Sequence, residues 1–314
     1  MSVEEPVRAQ SADERSKALE EARGDLDRMI GLPGVKSEVK RLMSFLEIQL
    51  QRRQQGLRES SQSLHFVFTG NPGTGKTTVA RILGKIFFGF GILKTSKFVE
   101  CDRANLVAAF LGQTAIKTDE VIQSALDGLL FIDEAYALAG DAKKFGHGDS
   151  FGEEAINTLL KRMEDSRDRL IVVVAGYPAP MEAFLESNPG LKSRFTRFIR
   201  FEDYSVPDLC RIFAKMCRDA EYTLTPLACA NAFLLFAVAY HQRDEKFGNA
   251  RTVRNVYEMA LSRQAERLSN IGGQLNKSDL VTIDSQDIPF EMVKAFDPRA
   301  LNNRAQLCSC RGGF

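Results

Sequence analysis

The feature that most constrains this chain is a glycine-rich run, Gly70-Asn71-Pro72-Gly73-Thr74-Gly75-Lys76-Thr77. The mostly apolar residues 64–69 before it predict a short buried strand, and residues 78–87 after it predict a helix. Strand, glycine loop and helix in this order form the phosphate-binding pattern G-x-x-x-x-G-K-[ST]. The alternative is a tight glycine turn before a helix, without a ligand. Because both flanks fit, the sequence favours a nucleotide site in an α/β fold.

Each part of this loop has an expected role toward ATP. Backbone N–H groups and the N-terminus of the following helix point at an anion, which suits phosphates. Lys76 would reach the β- and γ-phosphates, and the hydroxyl of Thr77 would hold Mg²⁺. The residues expected to contact ATP here are Asn71, Pro72, Gly73, Thr74, Gly75, Lys76, Thr77 and Thr78.

A second run, Leu129-Leu130-Phe131-Ile132-Asp133-Glu134, indicates what the nucleotide is used for. Apolar residues followed by two acids predict a buried strand that ends at the edge of a parallel sheet, where ligands bind in α/β folds. Asp133 would bind Mg²⁺ directly or through water, and Glu134 would be the general base for the attacking water. The alternative is a pair of acids favoured at a helix N-terminus. Together with the glycine loop, the pair favours ATP hydrolysis.

Length and composition bound the class of protein. The chain has 314 residues, which is room for one large domain and a smaller one. Its net charge is +1, from 42 basic and 41 acidic residues, and this argues against a chain built mainly to coat nucleic acid. No apolar run reaches the length of a membrane span, and the cysteines are scattered as in reduced cytosolic proteins. We therefore expect a cytoplasmic protein without membrane or nucleic-acid partners.

The sequence predicts four segments. Residues 1–24 are charged, poor in apolar residues and without the apolar core of a signal peptide, which predicts a mobile segment or a loose helix. Residues 25–204 alternate strands and helices and predict a five-stranded parallel sheet flanked by helices. Residues 205–270 lack clear strands and predict a small α-helical domain. Residues 271–314 form a C-terminal extension, in which Cys308 and Cys310 leave a metal or redox site open as an alternative.

These motifs together resemble those of AAA+ ATPases over about residues 25–270. Within that family the chain is similar to the group that contains red-type rubisco activase, the sporulation stage V protein K and the cytosolic ATPase of type VII secretion. The resemblance implies a P-loop AAA+ module followed by a small α-helical lid, a homo-oligomeric hexameric ring, and remodelling of a protein client. Besides the two runs above, it is carried by the stretches 110–115, 135–136, 175–177, 187–195 and 249–255.

The resemblance also assigns roles to residues outside the two runs. Ile30 and Gly31 match the segment that lines the adenine. Arg194 matches the arginine finger that reaches the γ-phosphate of the neighbouring subunit, with Arg197 as a nearby alternative. Arg251 matches the sensor-2 arginine of the lid, which touches the γ-phosphate. For each arginine, the alternative is an ordinary surface position.

Phe110-Leu111-Gly112 matches the pore loop of AAA+ threading motors, in which an aromatic side chain grips the client. The alternative is a core phenylalanine at a helix end. Relatives usually carry tyrosine here, so Phe110 departs from the pattern but keeps the aromatic ring. Sensor 1, usually asparagine or threonine, is less clear, because the fourth strand ends in Gly176-Tyr177; Tyr177 is the candidate. Residues 141–149 predict a mobile surface loop.

Three functions remain open on this basis. The first is a ring-forming ATPase that remodels a protein, either a rubisco activase-like chaperone or a component of a secretion or sporulation system. The second is a nucleic-acid motor, which a basic stripe would favour, but none is evident. The third is a small-molecule kinase, which needs neither Arg194 nor a pore loop. The sequence favours the first.

Overall fold

A computed structural model of the chain describes residues 12–58, 63–110, 112–140, 150–271 and 274–290. Three expectations concern residues outside these ranges: the loop 141–149, Leu111, and the pair Cys308 and Cys310. The chain divides into two units, Met1–Asp203 and Tyr204–Phe314. The first unit ends one residue before the domain boundary that we expected after residue 204.

The first unit contains a five-stranded sheet in which all strands run parallel, as the sequence predicts. The strand order is β2-β3-β4-β1-β5. Every residue of β3 and β4 is buried, which explains why these strands have continuous apolar sequences without alternation. The strands are β1 Phe66–Gly70, β2 Phe98–Cys101, β3 Gly128–Ile132, β4 Leu170–Gly176 and β5 Arg197–Phe201.

Helices cover both faces of this sheet. Three of them begin with proline in the first turn, where its fixed φ suits the helix and its missing N–H costs no hydrogen bond. The helices are α1 Ala12–Arg28, α2 Pro33–Gln54, α3 Lys76–Gly89, α4 Arg103–Leu106, α5 Thr114–Ala125, α6 Ser150–Asp165, α7 Pro178–Glu186 and α8 Pro189–Arg194. A 3-10 turn, Ala135–Ala139, follows β3.

The core of the first unit lies on the two faces of the sheet, because side chains alternate along each strand. On one face, Val67 and Leu130 belong to a buried cluster that includes side chains from α5 to α8. On the other face, the ring of Phe66 lies 6.0 Å from that of Phe87 in α3. Burial on both sides fixes the strand register, and with it the positions of the strand ends.

The N-terminal segment, expected to be mobile or a loose helix over residues 1–24, is helical in its described part. From residue 12 onward it forms α1, which packs against α3 and buries Ala22 and Leu26. Gly89 permits the close approach, since a Cβ there would lie 2.9 Å from the Cβ of Leu19. Leu19, Ala22 and Leu26, at positions i, i+3 and i+7, form a narrow apolar stripe on α1. The many charged residues of the helix obscure this stripe in the sequence.

The second unit is helical, with a small two-stranded parallel sheet. Its helices α9 to α11 pack around a core in which the rings of Phe213 and Phe236 lie 5.8 Å apart. Among the described residues of the chain, no helix combines the length and apolarity that a membrane crossing requires. The elements are α9 Val206–Asp219, β6 Thr223–Leu224, α10 Pro226–His241, α11 Ala250–Ile271, α12 Lys277–Val281 and β7 Thr282–Ile283.

Part of the predicted C-terminal extension belongs to this second unit. Strand β7 pairs with β6, and the buried carboxylate of Asp287 accepts hydrogen bonds from Arg267 of α11 at 2.8 and 2.9 Å. A buried carboxylate needs such a partner, because burying an unpaired charge is costly. The helical domain that we expected to end at residue 270 therefore continues at least through this ion pair.

Candidate functional site

The glycine loop lies at the carboxyl edge of the sheet. Strand β1 ends at Gly70, which lies opposite Phe201 of β5, and its other neighbour β4 ends at Gly176. Strand β3, on the far side of β4, ends immediately before Asp133. The structure therefore brings the loop and the paired acids to one edge, as the sequence predicts.

Three glycines of the loop have backbone conformations or contacts that other residues would not tolerate. Gly73 has φ 70° and Gly75 has φ 95°, both in the left-handed region. Gly70 approaches β5 so closely that a Cβ on it would lie 2.4 Å from the carbonyl oxygen of Phe201. The loop therefore curves tightly from β1 into α3, which begins at Lys76.

Side-chain hydrogen bonds brace the loop. The buried hydroxyl of Thr74 donates to the carbonyl of Asn71 at 2.8 Å. The ammonium of Lys76 donates to the carbonyls of Gly70 and Asn71, each at 2.8 Å. The amide of Asn71 donates to both carboxylate oxygens of Asp203, at 2.9 and 3.2 Å. Sequence reasoning missed Asp203, because the contact joins residues 132 positions apart and no local pattern marks it.

The local chemistry fits a nucleotide phosphate. The first turn of α3 holds no acidic residue, so no carboxylate of that turn competes with an anion for the helix N-terminus. Lys76 supplies a cation at the same place. Thr77 and Asp133, both half-buried, supply oxygen ligands of the kind that Mg²⁺ prefers. Thr78 is exposed in the same turn.

The two acids after β3 differ in their surroundings. The carboxylate of Asp133 is half-buried and accepts a hydrogen bond from the backbone N–H of Glu134 at 3.0 Å. Glu134 is exposed, and its backbone has φ 48° and ψ 41°, a left-handed conformation that glutamate rarely adopts. Such strained residues cluster at functional sites. The strained turn lets two consecutive acids occupy different environments at the sheet edge.

Tyr136 is a site residue that sequence reasoning missed, although it lies in a stretch that carries the family resemblance. Burial, together with the nearby charge of Glu134, raises the pKa of Tyr136 to about 12. Its ring centroid lies 6.1 Å from that of Tyr177. A Cβ on Gly176 would lie 2.6 Å from Cδ1 of Tyr136. The strand end where sensor 1 was in doubt is therefore in contact with Tyr136.

The two candidate finger arginines are held differently. Arg194, at the end of α8, is half-buried and pairs with the exposed carboxylate of Glu164 at 3.4 Å. The guanidinium of Arg197 lies over the rings of Phe45 and Phe66, at 5.4 and 6.0 Å, and its burial lowers the pKa of Arg197. Arg197 is therefore part of the packing of its own unit. An ion pair such as that of Arg194 is worth little and can be exchanged.

The remaining predicted nucleotide contacts lie in connections and helix starts. Ile30 is half-buried, and Gly31 has φ 64° in the short connection between α1 and α2. Arg251 lies in the second unit, exposed in the first turn of α11. Just before that helix, the buried side chain of Asn249 accepts a hydrogen bond from the backbone N–H of Tyr204 at 2.8 Å, which anchors the start of α11.

Phe110 lies on the surface, in the connection between α4 and α5. Its side chain is 69% exposed. Gly112 has φ 78°, and no atom lies within 4 Å of the position that its Cβ would occupy. This exposure excludes the alternative that Phe110 is a core residue at a helix end.

Comparison with known proteins identifies the family. Residues 66–203 match the ATPase family associated with various cellular activities (AAA), and residues 205–297 match the AAA lid domain. Stage V sporulation protein K of Bacillus subtilis (strain 168) is 43% identical over 274 residues, which cover 87% of this chain and 83% of that protein. The chain is an AAA ATPase. Its fold and its ATP hydrolysis, both predicted from the sequence, are confirmed.

Other AAA proteins are similar over most of this chain. The chloroplastic ribulose bisphosphate carboxylase/oxygenase activase of Cyanidioschyzon merolae (strain NIES-3377 / 10D) is 40% identical, covering 86% of this chain and 91% of that protein. The ESX-3 secretion system protein EccA3 of Mycobacterium leprae (strain TN) is also 40% identical, but only 46% of it is covered. The predicted resemblance to this group is therefore confirmed.

A solved structure supports the same fold. The FIGL-1 AAA domain in complex with ADP superposes with a TM-score of 0.57 at 15% identity, covering 91% of this chain and 90% of that one. At this identity the likeness concerns the fold alone.

Proposed function

We propose that this AAA ATPase assembles into a homo-oligomeric ring of six subunits and uses ATP hydrolysis to remodel a protein client. The observation that carries the proposal is the exposed aromatic side chain of Phe110 beside Gly112, in a loop between two helices. A ring would place its copies of Phe110 around one channel. Apolar contacts there would hold an extended peptide with little dependence on its sequence.

Within one subunit, the sheet edge would hold the nucleotide. Lys76 and the N-terminus of α3 would bind the phosphates, and Ile30 and Gly31 would line the adenine. Thr77 and Asp133 would hold Mg²⁺, which neutralises charge on the phosphates when bound. The glycine conformations and the short distances within the loop support this assignment, because they fix a cradle of backbone amides.

Hydrolysis would use residues of more than one subunit or unit. Glu134 would accept a proton from the attacking water, and its exposure at the sheet edge suits that role. Arg194 would leave its ion pair with Glu164 and reach the γ-phosphate of a neighbouring subunit. Arg251 would report the nucleotide state to the lid. The packing of Arg197 against two phenylalanine rings favours Arg194 as the finger.

The names of the relatives suggest two classes of client. One is rubisco, as for the activase from Cyanidioschyzon merolae. The other is a component of a sporulation or secretion system, as for stage V sporulation protein K and EccA3. We propose the first as the working hypothesis, in a cytoplasmic setting and without a nucleic-acid partner. ATP-dependent recovery of activity of an inhibited rubisco would separate it from the second.

The mass of the Glu134→Gln protein in solution tests the ring. This variant should bind ATP, stall hydrolysis, and shift to about six times the monomer mass when ATP and Mg²⁺ are added. Glu182→Gln, a change at an exposed glutamate of α7, is the matched control and should keep normal turnover. A Glu134→Gln protein that binds ATP but stays monomeric would exclude both the trans role of Arg194 and the channel role of Phe110.

A further inference from the structure

The last residue of α8, Arg194, has its backbone tied to the chain that enters strand β1. Helix α8 has 6 residues, which is too few for a helix to be stable without outside contacts. The last carbonyl groups of a helix have no partner within it. The hydroxyl of Ser63 donates to the carbonyl of Arg194 at 2.5 Å, across 131 positions of the sequence. This hydrogen bond therefore supplies a missing partner and fixes the end of α8 to the start of β1.

His65 makes a second contact with the same end of α8. It lies two positions after Ser63, the spacing that places side chains on one side of an extended chain. Its ring lies 6.0 Å from that of Phe195, the residue after Arg194, with the ring planes inclined by 60°. Its Nδ1 accepts a hydrogen bond from the N–H of Val172 in β4 at 3.0 Å. Both rings are buried, so this contact holds the chain beside Arg194 against the sheet.

Ser63 is itself held in place. Its backbone carbonyl accepts a hydrogen bond from Nε of Arg197 in β5 at 3.2 Å. The guanidinium of Arg197 in turn lies over the rings of Phe45 and Phe66, at 5.4 and 6.0 Å. A residue that orients another must be rigid, and these contacts restrict Ser63. Arg197, the alternative candidate for the finger, therefore anchors the segment that holds Arg194.

The guanidinium of Arg194 is held less firmly than its backbone. Its Nε is buried and has no hydrogen-bond partner among the described residues. One terminal nitrogen lies 3.4 Å from the exposed carboxylate of Glu164, which is longer than the usual charged hydrogen bond of about 2.9 Å. A buried donor without a partner is unfavourable, so a stronger anion can draw this side chain away. The base of the side chain is fixed, whereas its charged end can move.

We propose that Ser63 is a positioning residue for ATP hydrolysis in the neighbouring subunit, because its hydroxyl fixes the point from which Arg194 reaches the γ-phosphate. The proposal rests on the proposed function of Arg194 as a finger that acts in trans. A group that stabilises charge in a transition state must be preorganised, and a displacement of about 1 Å can cost roughly 100-fold in rate. Ser63 touches neither the nucleotide nor the water in this role and acts through the backbone of Arg194.

Ser63→Ala removes the hydroxyl and tests the proposal directly. We expect kcat for ATP to fall roughly tenfold while the KM for ATP stays unchanged, since the phosphate loop of the variant is intact. Ser63→Thr keeps the hydroxyl and should retain the kcat of the wild type. Ser187→Ala is the matched control and should keep a normal kcat, because the hydroxyl of Ser187 donates to the carbonyl of Phe184 at 2.7 Å, within the end of α7. A normal kcat in Ser63→Ala, or a rise in KM alone, would overturn the proposal.

Mixed rings distinguish a positioning role from a structural one. Glu134→Gln subunits stall hydrolysis but carry an intact Arg194, so an excess of them gives each Ser63→Ala subunit a neighbour with an intact finger. Turnover per Ser63→Ala subunit should then rise to that of wild-type subunits diluted in the same excess. Subunits with both Glu134→Gln and Arg194→Ala are the control and should restore no turnover. A defect confined to the variant's own nucleotide site would be restored by neither mixture, and that result would contradict the proposal.

A double variant separates failure of the proposal from failure of the proposed function. If Ser63 acts through Arg194, Ser63→Ala should cause no further loss of the residual turnover of Arg194→Ala. A second loss of roughly tenfold in the double variant would exclude this role of Ser63 while Arg194 remains the finger. Normal turnover of Arg194→Ala would instead remove the finger itself from the proposed function.

Discussion

The carboxyl edge of the sheet and the loop around Phe110 are built in opposite ways. At the edge, Gly70 lies against the backbone of β5, and Lys76 donates to two carbonyls of its own loop at 2.8 Å. In the other region, Phe110 is 69% exposed and Gly112 has open space beside its Cα. The loop residues proposed to bind the phosphates are fixed by the fold of one unit. The residue proposed to serve a client lies on the surface, where a partner can reach it.

Arg194 combines features of both regions, a fixed backbone and a side chain with an exchangeable contact. Its guanidinium pairs with Glu164 at 3.4 Å, a contact that a stronger anion could replace, whereas its backbone is part of α8. We propose that this side chain reaches a nucleotide bound by another subunit, and its exchangeable ion pair supports that role. The contrast predicts that substitutions at the sheet edge lower turnover or stability, whereas substitutions on the surface lower only the action on partners.

The largest effect is expected for Lys76→Ala. The variant loses the cation at the N-terminus of α3, and we expect ATP hydrolysis to fall roughly 1000-fold, as when one preorganised charge is removed from an active site. Nucleotide affinity and turnover are the measurements, with Lys85→Ala on the same helix as the control. Lys85 pairs with Asp25 of α1 at 2.9 Å, so its loss should affect stability but not turnover. Normal turnover of Lys76→Ala would contradict the proposal that the sheet edge binds the nucleotide.

The next effect concerns the opposite end of β1, where His65 is buried and its Nδ1 accepts a hydrogen bond from the N–H of Val172 at 3.0 Å. Burial, with the nearby charge of Arg194, lowers the pKa of His65 from 6.5 to about 4. At pH values between 6.5 and about 4, His65 is protonated in the unfolded chain but not in the folded chain. The free energy of unfolding should therefore fall by about 3 kcal/mol as the pH falls from 6.5 to 4, and the contribution of His65 should change no further below that.

Denaturant unfolding of the wild type and of His65→Asn measures this dependence. Asparagine can still accept the hydrogen bond from Val172 but does not titrate, so the pH dependence due to this side chain should disappear. If the free energy of unfolding changes with pH equally in both proteins, His65 does not contribute to the pH dependence. The N-terminal end of β1 would then be less tightly buried than the sheet edge.

A smaller effect on stability is expected for Gly70→Ala. The new Cβ would lie 2.4 Å from the carbonyl oxygen of Phe201, and the backbone of β5 must shift to relieve the contact. We expect a loss of about 2 kcal/mol in the free energy of unfolding. Gly34→Ala is the control, because no atom lies within 4 Å of its Cβ position, and alanine in a helix should stabilise slightly. Equal effects of the two substitutions would contradict the close packing of the loop.

The sheet and its active edge could be predicted because their signals are local. The run 70–77 and the run 129–134 each place chemistry directly after a strand, and parallel strands bring their carboxyl ends together. The prediction did not include the contact of Asn71 with Asp203 or that of Tyr136 with the end of β4. Each contact joins positions that are distant in the chain, and no local sequence pattern marks either of them.

The segments outside the two runs were harder to predict for a different reason. Helix α1 buries only a narrow apolar stripe, and small residues such as Ala22 and Gly89 carry its contact with α3. The end of the second unit depends on the pair of Arg267 and Asp287, and charged residues in a sequence normally indicate surface. In both cases the stabilising contact is specific to two elements and leaves no periodic pattern.

The smallest effect on the subunit, and the sharpest test of the comparison, is expected for Phe110→Ala. Since the side chain is 69% exposed, its removal should change the free energy of unfolding by less than about 0.5 kcal/mol and leave basal hydrolysis and ring mass unchanged. Remodelling of the client should be lost, because the apolar contact with the client disappears.

Phe233→Ala on α10, a phenylalanine that is 50% exposed, is the matched control and should keep remodelling. Phe110→Tyr should restore it, since the ring is retained. Loss of basal hydrolysis in Phe110→Ala would place this loop with the sheet edge, as part of the nucleotide machinery and not of the client site.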